Sequence, residues 1–170
     1  DLEQLSWLIG KYLRRLTPEW LLGRLKSHVM GDDYLLRVLP LVQERIDTLE
    51  AFWEYASFFF VGELAYDEAA LSAMVPKGRT AAETAKALGQ LVDSQIDPLP
   101  EWRAETFEAA LVAFGEASGW PQKETLMTVR VALTGRAATP PLFETAAVLG
   151  KEICRRRLRR AASALGGSKR

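Results

Sequence analysis

The stretch Met127–Phe143, MTVRVALTGRAATPPLF, shows how this chain is built. Its first half continues a helical pattern, and Thr134-Gly135 predicts the end of that helix because glycine can supply a left-handed cap. Thr139-Pro140-Pro141 then predicts the start of the last helix, since proline is favoured in the first helical turn. The stretch therefore indicates two helices joined by a short loop.

The same start and stop signals recur along the rest of the chain. Thr17-Pro18-Glu19 predicts a helix start, and Thr80-Ala81-Ala82-Glu83 predicts a capping box in which two side chains bond each other's backbone N–H groups. The predicted helices cover about 18–29, 80–92, 101–118, 122–133 and 142–163, with others at the N-terminus, after Asp32 or Asp33, after Asp47 and after Asp67. Proline at position 40 is expected to kink or break one of them. Strand signals are absent, so the sequence predicts an all-α fold of two packed helical subdomains, joined near 75–79.

Composition excludes several classes of protein. The chain has 170 residues, is 48% apolar, and balances 22 basic against 22 acidic residues, which is typical of a folded domain and not of a disordered tail. Its most apolar window, 51–61, is too short to cross a bilayer, and its first residues do not resemble a signal peptide. We therefore expect a cytoplasmic protein with no membrane partner. Because the chain opens within a helical pattern and without Met, we expect it to be a piece of a longer protein.

The chain lacks the residue sets that most catalysts need. It contains one histidine, His28, and one cysteine, Cys154, so a metal site of the Cys/His type is impossible, and no phosphate-binding glycine motif occurs. The neighbouring arginines are expected to lower the pKa of the Cys154 thiol, but no histidine accompanies it as a base. We therefore expect no catalytic residue, no metal and no cofactor in this chain, and infer that it binds a partner.

Charge is distributed unevenly. Residues 141–170 contain eight basic and two acidic residues, a net charge of +6, and the first forty-six residues also lean basic around an acidic middle. This pattern suits a polyanion such as nucleic acid, although a solvated arginine-rich helix face would produce it equally well. The loop between the last two predicted helices would expose a threonine hydroxyl, proline rings and arginines, which is the kind of surface that unstacked RNA bases need.

Three segments resemble one known family. The stretch RVALTGRAATPPLFETAAVLGKEICRRRL, from Arg130, is similar to the signature near the C-terminus of bacterial glutamyl-tRNA synthetases. The opening DLEQLSWLIGKYLRRLTPEWL and the segment Arg45–Phe52 resemble earlier parts of the same region. The resemblance implies the C-terminal anticodon-binding part of a class I glutamate–tRNA ligase. Residues 1–17 would end the connection from the upstream region, and 18–75 and 76–170 would be two anticodon-binding subdomains.

The resemblance also implies roles for single residues. Arg45 matches the arginine that reads the third anticodon base in members selective for the glutamate tRNA, which implies an enzyme that rejects the glutamine tRNA. The other matched anticodon positions are Arg130, Thr139, Pro140 and Leu142, and possible phosphate contacts are Arg136, Lys151, Arg155 and Arg156. The implied partners are the glutamate tRNA and the upstream catalytic domain of the same chain. ATP and magnesium are implied for the full-length enzyme only.

Three features of the sequence leave room for a different role. Arg45 could simply pair with Glu44 or Asp47 on the surface. The family usually has Asn where this chain has Ile9, which leaves the role of the first fifteen residues open. The aromatic stretch 52–60 could be the docking face of a helical protein-interaction module, and a self-contained enzyme is the least favoured alternative.

Overall fold

The computed structural model describes residues 2–28 and 30–167, and over these residues the chain is helical without any strand. The helices are α1 Leu2–Leu13, α2 Pro18–His28, α3 Asp32–Val42, α4 Phe52–Ala56, α5 Glu68–Met74, α6 Ala81–Leu91, α7 Ala104–Ser118, α8 Gln122–Thr134, α9 Leu142–Leu149 and α10 Lys151–Gly166. Short 3-10 turns occupy Gln43–Arg45 and Ser57–Phe59, and a π-helical turn occupies Val92–Ile96. The prediction of an all-α fold is confirmed.

The chain divides into two compact units, an N-terminal unit Asp1–Arg37 and a C-terminal unit Val38–Arg170. In the N-terminal unit, Thr17 caps α2 as predicted, because its hydroxyl accepts a bond from the Trp20 N–H at 3.3 Å. The Trp20 ring meets that of Tyr12 edge to face at 6.5 Å. Ile9 is 49% exposed and lines a mostly apolar groove together with these two rings. The predicted helix end at Val29 lies outside the described residues.

The C-terminal unit holds a larger core. Helices α6 and α10 pack along each other, α5 packs on α8, and α7 packs on α9. The core includes Leu88, Leu91, Phe107, Leu111, Val131 and Leu158, each at most 2% exposed. The predicted joint at 75–79 lies inside this unit, where the Thr128 hydroxyl of α8 donates to the Met74 carbonyl of α5 at 2.8 Å. The subdomain boundaries at 17/18 and 75/76 stay predictions.

The helix caps predicted from short sequence motifs are confirmed at three positions. The Thr80 N–H donates to the Glu83 carboxylate at 2.7 Å, and the Glu83 N–H donates to the Thr80 hydroxyl at 3.2 Å, which completes the predicted capping box. The Asp67 carboxylate accepts from the Ala70 N–H at 2.7 Å and caps α5. Gly135 ends α8 with φ +73°, the left-handed conformation expected of it.

Two predicted helices are wrong in extent. The last one, expected over 142–163, is two helices, because Gly150 adopts φ +85° and breaks the backbone between α9 and α10. The helix expected from Asp47 begins only at Phe52, after a turn in which the Thr48 hydroxyl accepts from the Ala51 N–H at 3.3 Å. Helix α3 runs through Pro40 and ends shortly after it, at Val42.

No helix within the described ranges combines the length and the apolar character that a membrane crossing requires.

Candidate nucleic-acid interface

The candidate site is the corner where α8 turns into α9. Arg130 lies in the last turns of α8, and its Nη1 donates both to the Thr139 hydroxyl at 2.5 Å and to the Pro140 carbonyl at 3.0 Å. The Thr139 hydroxyl in turn donates to the Pro140 carbonyl at 3.0 Å. These bonds close the 135–140 loop onto α8, so three of the predicted anticodon residues lie together.

Arg45 joins this corner from a distant part of the sequence. It ends the 3-10 turn after α3 and is exposed. Among the residues that the structure describes, no carboxylate forms an ion pair with it, so the alternative of pairing with Glu44 or Asp47 is not seen. Burial lowers the pKa of the Arg130 guanidinium, and the nearby positive charge of Arg45 lowers it further. Positive charges that act on each other without a carboxylate partner favour an anionic ligand.

The other loop positions differ in exposure. Thr139 is half-buried and Pro140 is buried, whereas Ala137 and Ala138 form the exposed tip. Leu142, expected to touch a base, is only 4% exposed and belongs to the core at the start of α9. Its contact with a base stays a prediction.

Arg136 ties the loop to the aromatic segment. Its Nη1 donates to the Glu54 carbonyl, its Nη2 donates to the Ser57 hydroxyl at 2.8 Å, and its guanidinium lies 5.8 Å from the centre of the Phe58 ring. Because Phe58 is only 2% exposed, the stretch 52–60 presents only part of its aromatic surface to solvent. Arg136, predicted to contact a phosphate, therefore already connects the 135–140 loop to the stretch 52–60.

Most of the basic side chains of α10 have internal partners. Lys151 donates to the Leu99 carbonyl at 2.6 Å, and Arg155 pairs with Asp97, its Nε lying 2.6 Å from the carboxylate. Arg159 and Arg160 are bound in the same way, to Asp93, Asp97 and Glu63. Arg156 is exposed, with one long contact of 3.5 Å to the Gly62 carbonyl. Lys169 and Arg170 lie outside the described residues.

Arg157 is the residue whose importance the sequence reasoning missed. It is 1% exposed and donates to three carbonyls: Leu133 at 2.6 Å, Phe58 at 2.7 Å and Val61 at 2.6 Å. It thus holds the end of α8, which carries Arg130, against the aromatic segment. Its helical spacing from Cys154 and Ala161 was the signal that places it on the buried face of α10.

The thiol of Cys154 does not behave as expected from its arginine neighbours. Burial raises its pKa to about 12, and the positive charge of Arg157 offsets this only in part. The expected lowering is therefore wrong, because Cys154 is 0% exposed and desolvation of the thiolate outweighs the attraction. Across the described part of the chain, no three His, Cys, Asp or Glu side chains are grouped so that they could hold a metal ion.

Comparison with known proteins gives a consistent picture. The chain is 29% identical over 168 residues to the glutamate–tRNA ligase of Stutzerimonas stutzeri and 36% identical over 178 residues to that of Roseiflexus castenholzii. These alignments cover 99% and 98% of this chain but 33% and 34% of the relatives. The chain thus spans about a third of the length of the relatives it matches.

Solved structures share the fold. A glutamate tRNA ligase from Elizabethkingia meningosepticum matches 97% of this chain, and 33% of its own, with a TM-score of 0.69 at 23% identity. A glutamate–tRNA synthetase from Elizabethkingia anophelis matches 96% of this chain, and 32% of its own, with a TM-score of 0.61 at 21% identity. The family model described as anticodon binding domain matches residues 11–162. Since that match takes in most of the sequence, this chain belongs to the family of anticodon binding domains.

Proposed function

We propose that this chain is the anticodon-reading region of a glutamate–tRNA ligase, the enzyme that joins glutamate to its tRNA with ATP. Its partners would be the glutamate tRNA and the catalytic domain upstream in the same cytoplasmic enzyme, where ATP and magnesium would act. Family membership and the names of the relatives support this class of function. The observation that carries the site is the Arg130 corner, where Thr139 and Pro140 fix the guanidinium and no carboxylate of the described residues pairs with Arg130 or with Arg45.

The two arginines would have different tasks. Arg130 is held by Thr139 and Pro140, so its remaining donors have a fixed direction before RNA arrives. Arg45 is exposed and free to approach a base. A guanidinium donates hydrogen bonds but cannot accept them, so it can bond the acceptor edge of cytosine and disfavours the N–H edge of guanine. We propose that Arg45 selects C over G at the third anticodon base and thereby the glutamate tRNA over the glutamine tRNA.

Anticodon reading would act on the reaction through binding energy. Each correct base contact contributes about 1–3 kcal/mol. In the whole ligase that energy would help to seat the distant acceptor end, so a wrong anticodon would lower the rate of transfer as well as the affinity. Arg156 is the best placed of the three phosphate candidates on α10, since it is exposed with one long contact, whereas Lys151 and Arg155 would have to release internal partners first. Arg136 makes two internal bonds and keeps further N–H donors.

The alternative of a protein-docking module through 52–60 has less support. Phe58 and Phe59 are 2% and 5% exposed, so they belong to the core and offer no docking face.

The test compares two RNAs and two variants. Fluorescence anisotropy would measure the affinity of the chain for a glutamate-type anticodon stem-loop and for the same stem-loop with the third base changed from C to G. Arg45→Gln should bring the two affinities closer together. Arg103→Gln is the matched control, because Arg103 is equally an exposed arginine but pairs with Glu101 at 2.9 Å. If Arg45→Gln still prefers the C stem-loop over the G stem-loop as strongly as the unmodified chain, Arg45 does not select the third base. Absence of RNA binding at low salt would contradict the proposed function.

A further inference from the structure

One exposed aromatic ring lies beside the candidate interface without an assigned role. Trp53 is 46% exposed at the start of α4, although tryptophan contributes a large apolar surface when it is buried. Its ring is fixed from one side by Phe60, at 5.6 Å between ring centres and 70° between planes, and by Phe52, at 5.3 Å and 74°. The indole is therefore held in place while part of its surface faces solvent.

The backbone places this ring next to the loop. The Ser57 N–H donates to the Trp53 carbonyl, so the two residues lie one helical turn apart on the same face. Arg136, from the 135–140 loop, donates to the Ser57 hydroxyl and to the carbonyl of Glu54, the residue after Trp53. The exposed indole thus borders the segment that Arg136 fastens to the Arg130 corner.

The chemistry at this border is specific. A guanidinium has five N–H donors, and the two bonds that Arg136 makes leave others for a phosphate group. An aromatic face beside a cation is the surface on which single-stranded nucleic acids stack their bases. The positive charge at this border belongs to Arg136, which bonds the carbonyl of the residue after Trp53, and it would attract a phosphate but not an apolar protein partner.

We propose that Trp53 is the stacking surface for one unpaired base of the RNA loop, with Arg136 beside it near that nucleotide's phosphate. This inference rests on the proposed function, since it names a further contact of the same RNA. Stacking tolerates any base, so Trp53 contributes affinity, whereas the choice between C and G belongs to Arg45.

The experiment compares three variants by anisotropy with the glutamate-type stem-loop. Trp53→Leu should weaken binding about tenfold or more, Trp53→Phe should retain most of the affinity, and neither should change the slope of affinity against salt. Trp20→Leu is the matched control, because Trp20 is 42% exposed and lies in the N-terminal unit. It should bind as the unmodified chain does.

Stem-loops with a single abasic nucleotide then identify the stacked base. At one position the unmodified chain and Trp53→Leu should bind equally, because the base that the indole contacts is missing. The proposal is overturned if Trp53→Leu binds like the unmodified chain, if Trp53→Phe loses as much as Trp53→Leu, or if the loss persists for every abasic loop. Discrimination between C and G by the unmodified chain would still support the proposed function in each of those cases, so the two can fail separately.

Discussion

The arginines of α10 and Arg45 are the same residue type in different surroundings. Arg155 and Arg157 on α10 donate to acceptors of their own chain, a carboxylate in one case and three carbonyls in the other. Arg45 is exposed, no carboxylate of the described residues pairs with it, and its positive charge lowers the pKa of Arg130. The number of arginines in a segment therefore does not tell which positive charges remain without a carboxylate partner, whereas the acceptors around each guanidinium do.

Among these arginines, we expect the largest effect on stability at the buried Arg157. Arg157→Met should lower the free energy of unfolding by about 3 kcal/mol, because three carbonyls, two of them buried, would lose their donor. Urea denaturation followed by circular dichroism measures this. Arg156→Met, the same change at an exposed neighbour, should cost less than about 0.5 kcal/mol. Equal losses of stability in the two variants would contradict the structural role given to the buried Arg157.

A change at Arg130 tests the α8–α9 corner, where we expect an effect on RNA binding. Arg130→Met should weaken binding of the glutamate-type stem-loop by about 2 kcal/mol, because a positioned base contact is lost. Arg159→Met should leave RNA binding unchanged, since Arg159 is already bound to Asp93 and Asp97. Isothermal titration calorimetry measures both. A larger loss in Arg159→Met would place the RNA on α10 and not on the corner.

A change at Tyr66 tests the same region without altering a charge, since its hydroxyl lies within hydrogen-bond distance of two carbonyls, those of Ala132 and Arg157. Its hydroxyl donates at 2.6 Å to the Ala132 carbonyl, next to the Leu133 carbonyl that Arg157 binds. Tyr66→Phe should lower the free energy of unfolding by about 1 kcal/mol. Burial raises the pKa of Tyr66 to about 12, above its usual 10.0, against the opposing charges of Arg157 and Arg160.

The same hydroxyl has a measurable pH signature. Because its folded-state pKa is raised, its contribution to stability is present below pH 10 and is lost as pH rises towards 12. The stability difference between the unmodified chain and Tyr66→Phe should therefore shrink only in strong alkali. A difference that already disappears near neutral pH would contradict this assignment.

Asp97 should show the smallest effect. The hydrogen bond from Arg155 lowers the pKa of the Asp97 carboxyl below its usual 3.8, and the charges of Arg155 and Arg159 act in the same direction. A lowered pKa stabilises the fold above the unfolded-state value, and that contribution is lost as pH falls through the folded-state value. Asp97→Asn should thus differ from the unmodified chain at neutral pH and converge with it in acid, measured by urea denaturation across that range. A gap that persists in acid would mean that Asp97 acts through packing.

The sequence by itself determined the local elements. The capping box at Thr80 and Glu83, the cap at Asp67 and the glycine end of α8 depend on residues a few positions apart, so their chemistry is visible in the chain order. The break at Gly150 was not predicted, because a glycine inside an otherwise helical pattern can adopt either a helical or a positive φ, and the sequence does not show which.

Only the tertiary structure decided which charges are available. Helical spacing places Arg157 on the buried face of α10, but the chain order does not reveal the three distant carbonyls that it binds, and it does not assign Asp97 to Arg155. Likewise, Arg45 and Arg130 are far apart in sequence, and the fold alone brings their charges within reach of each other. The physical reason is that capping is a contact between neighbours in the chain, whereas desolvation and ion pairing depend on neighbours in space, which a linear pattern does not encode.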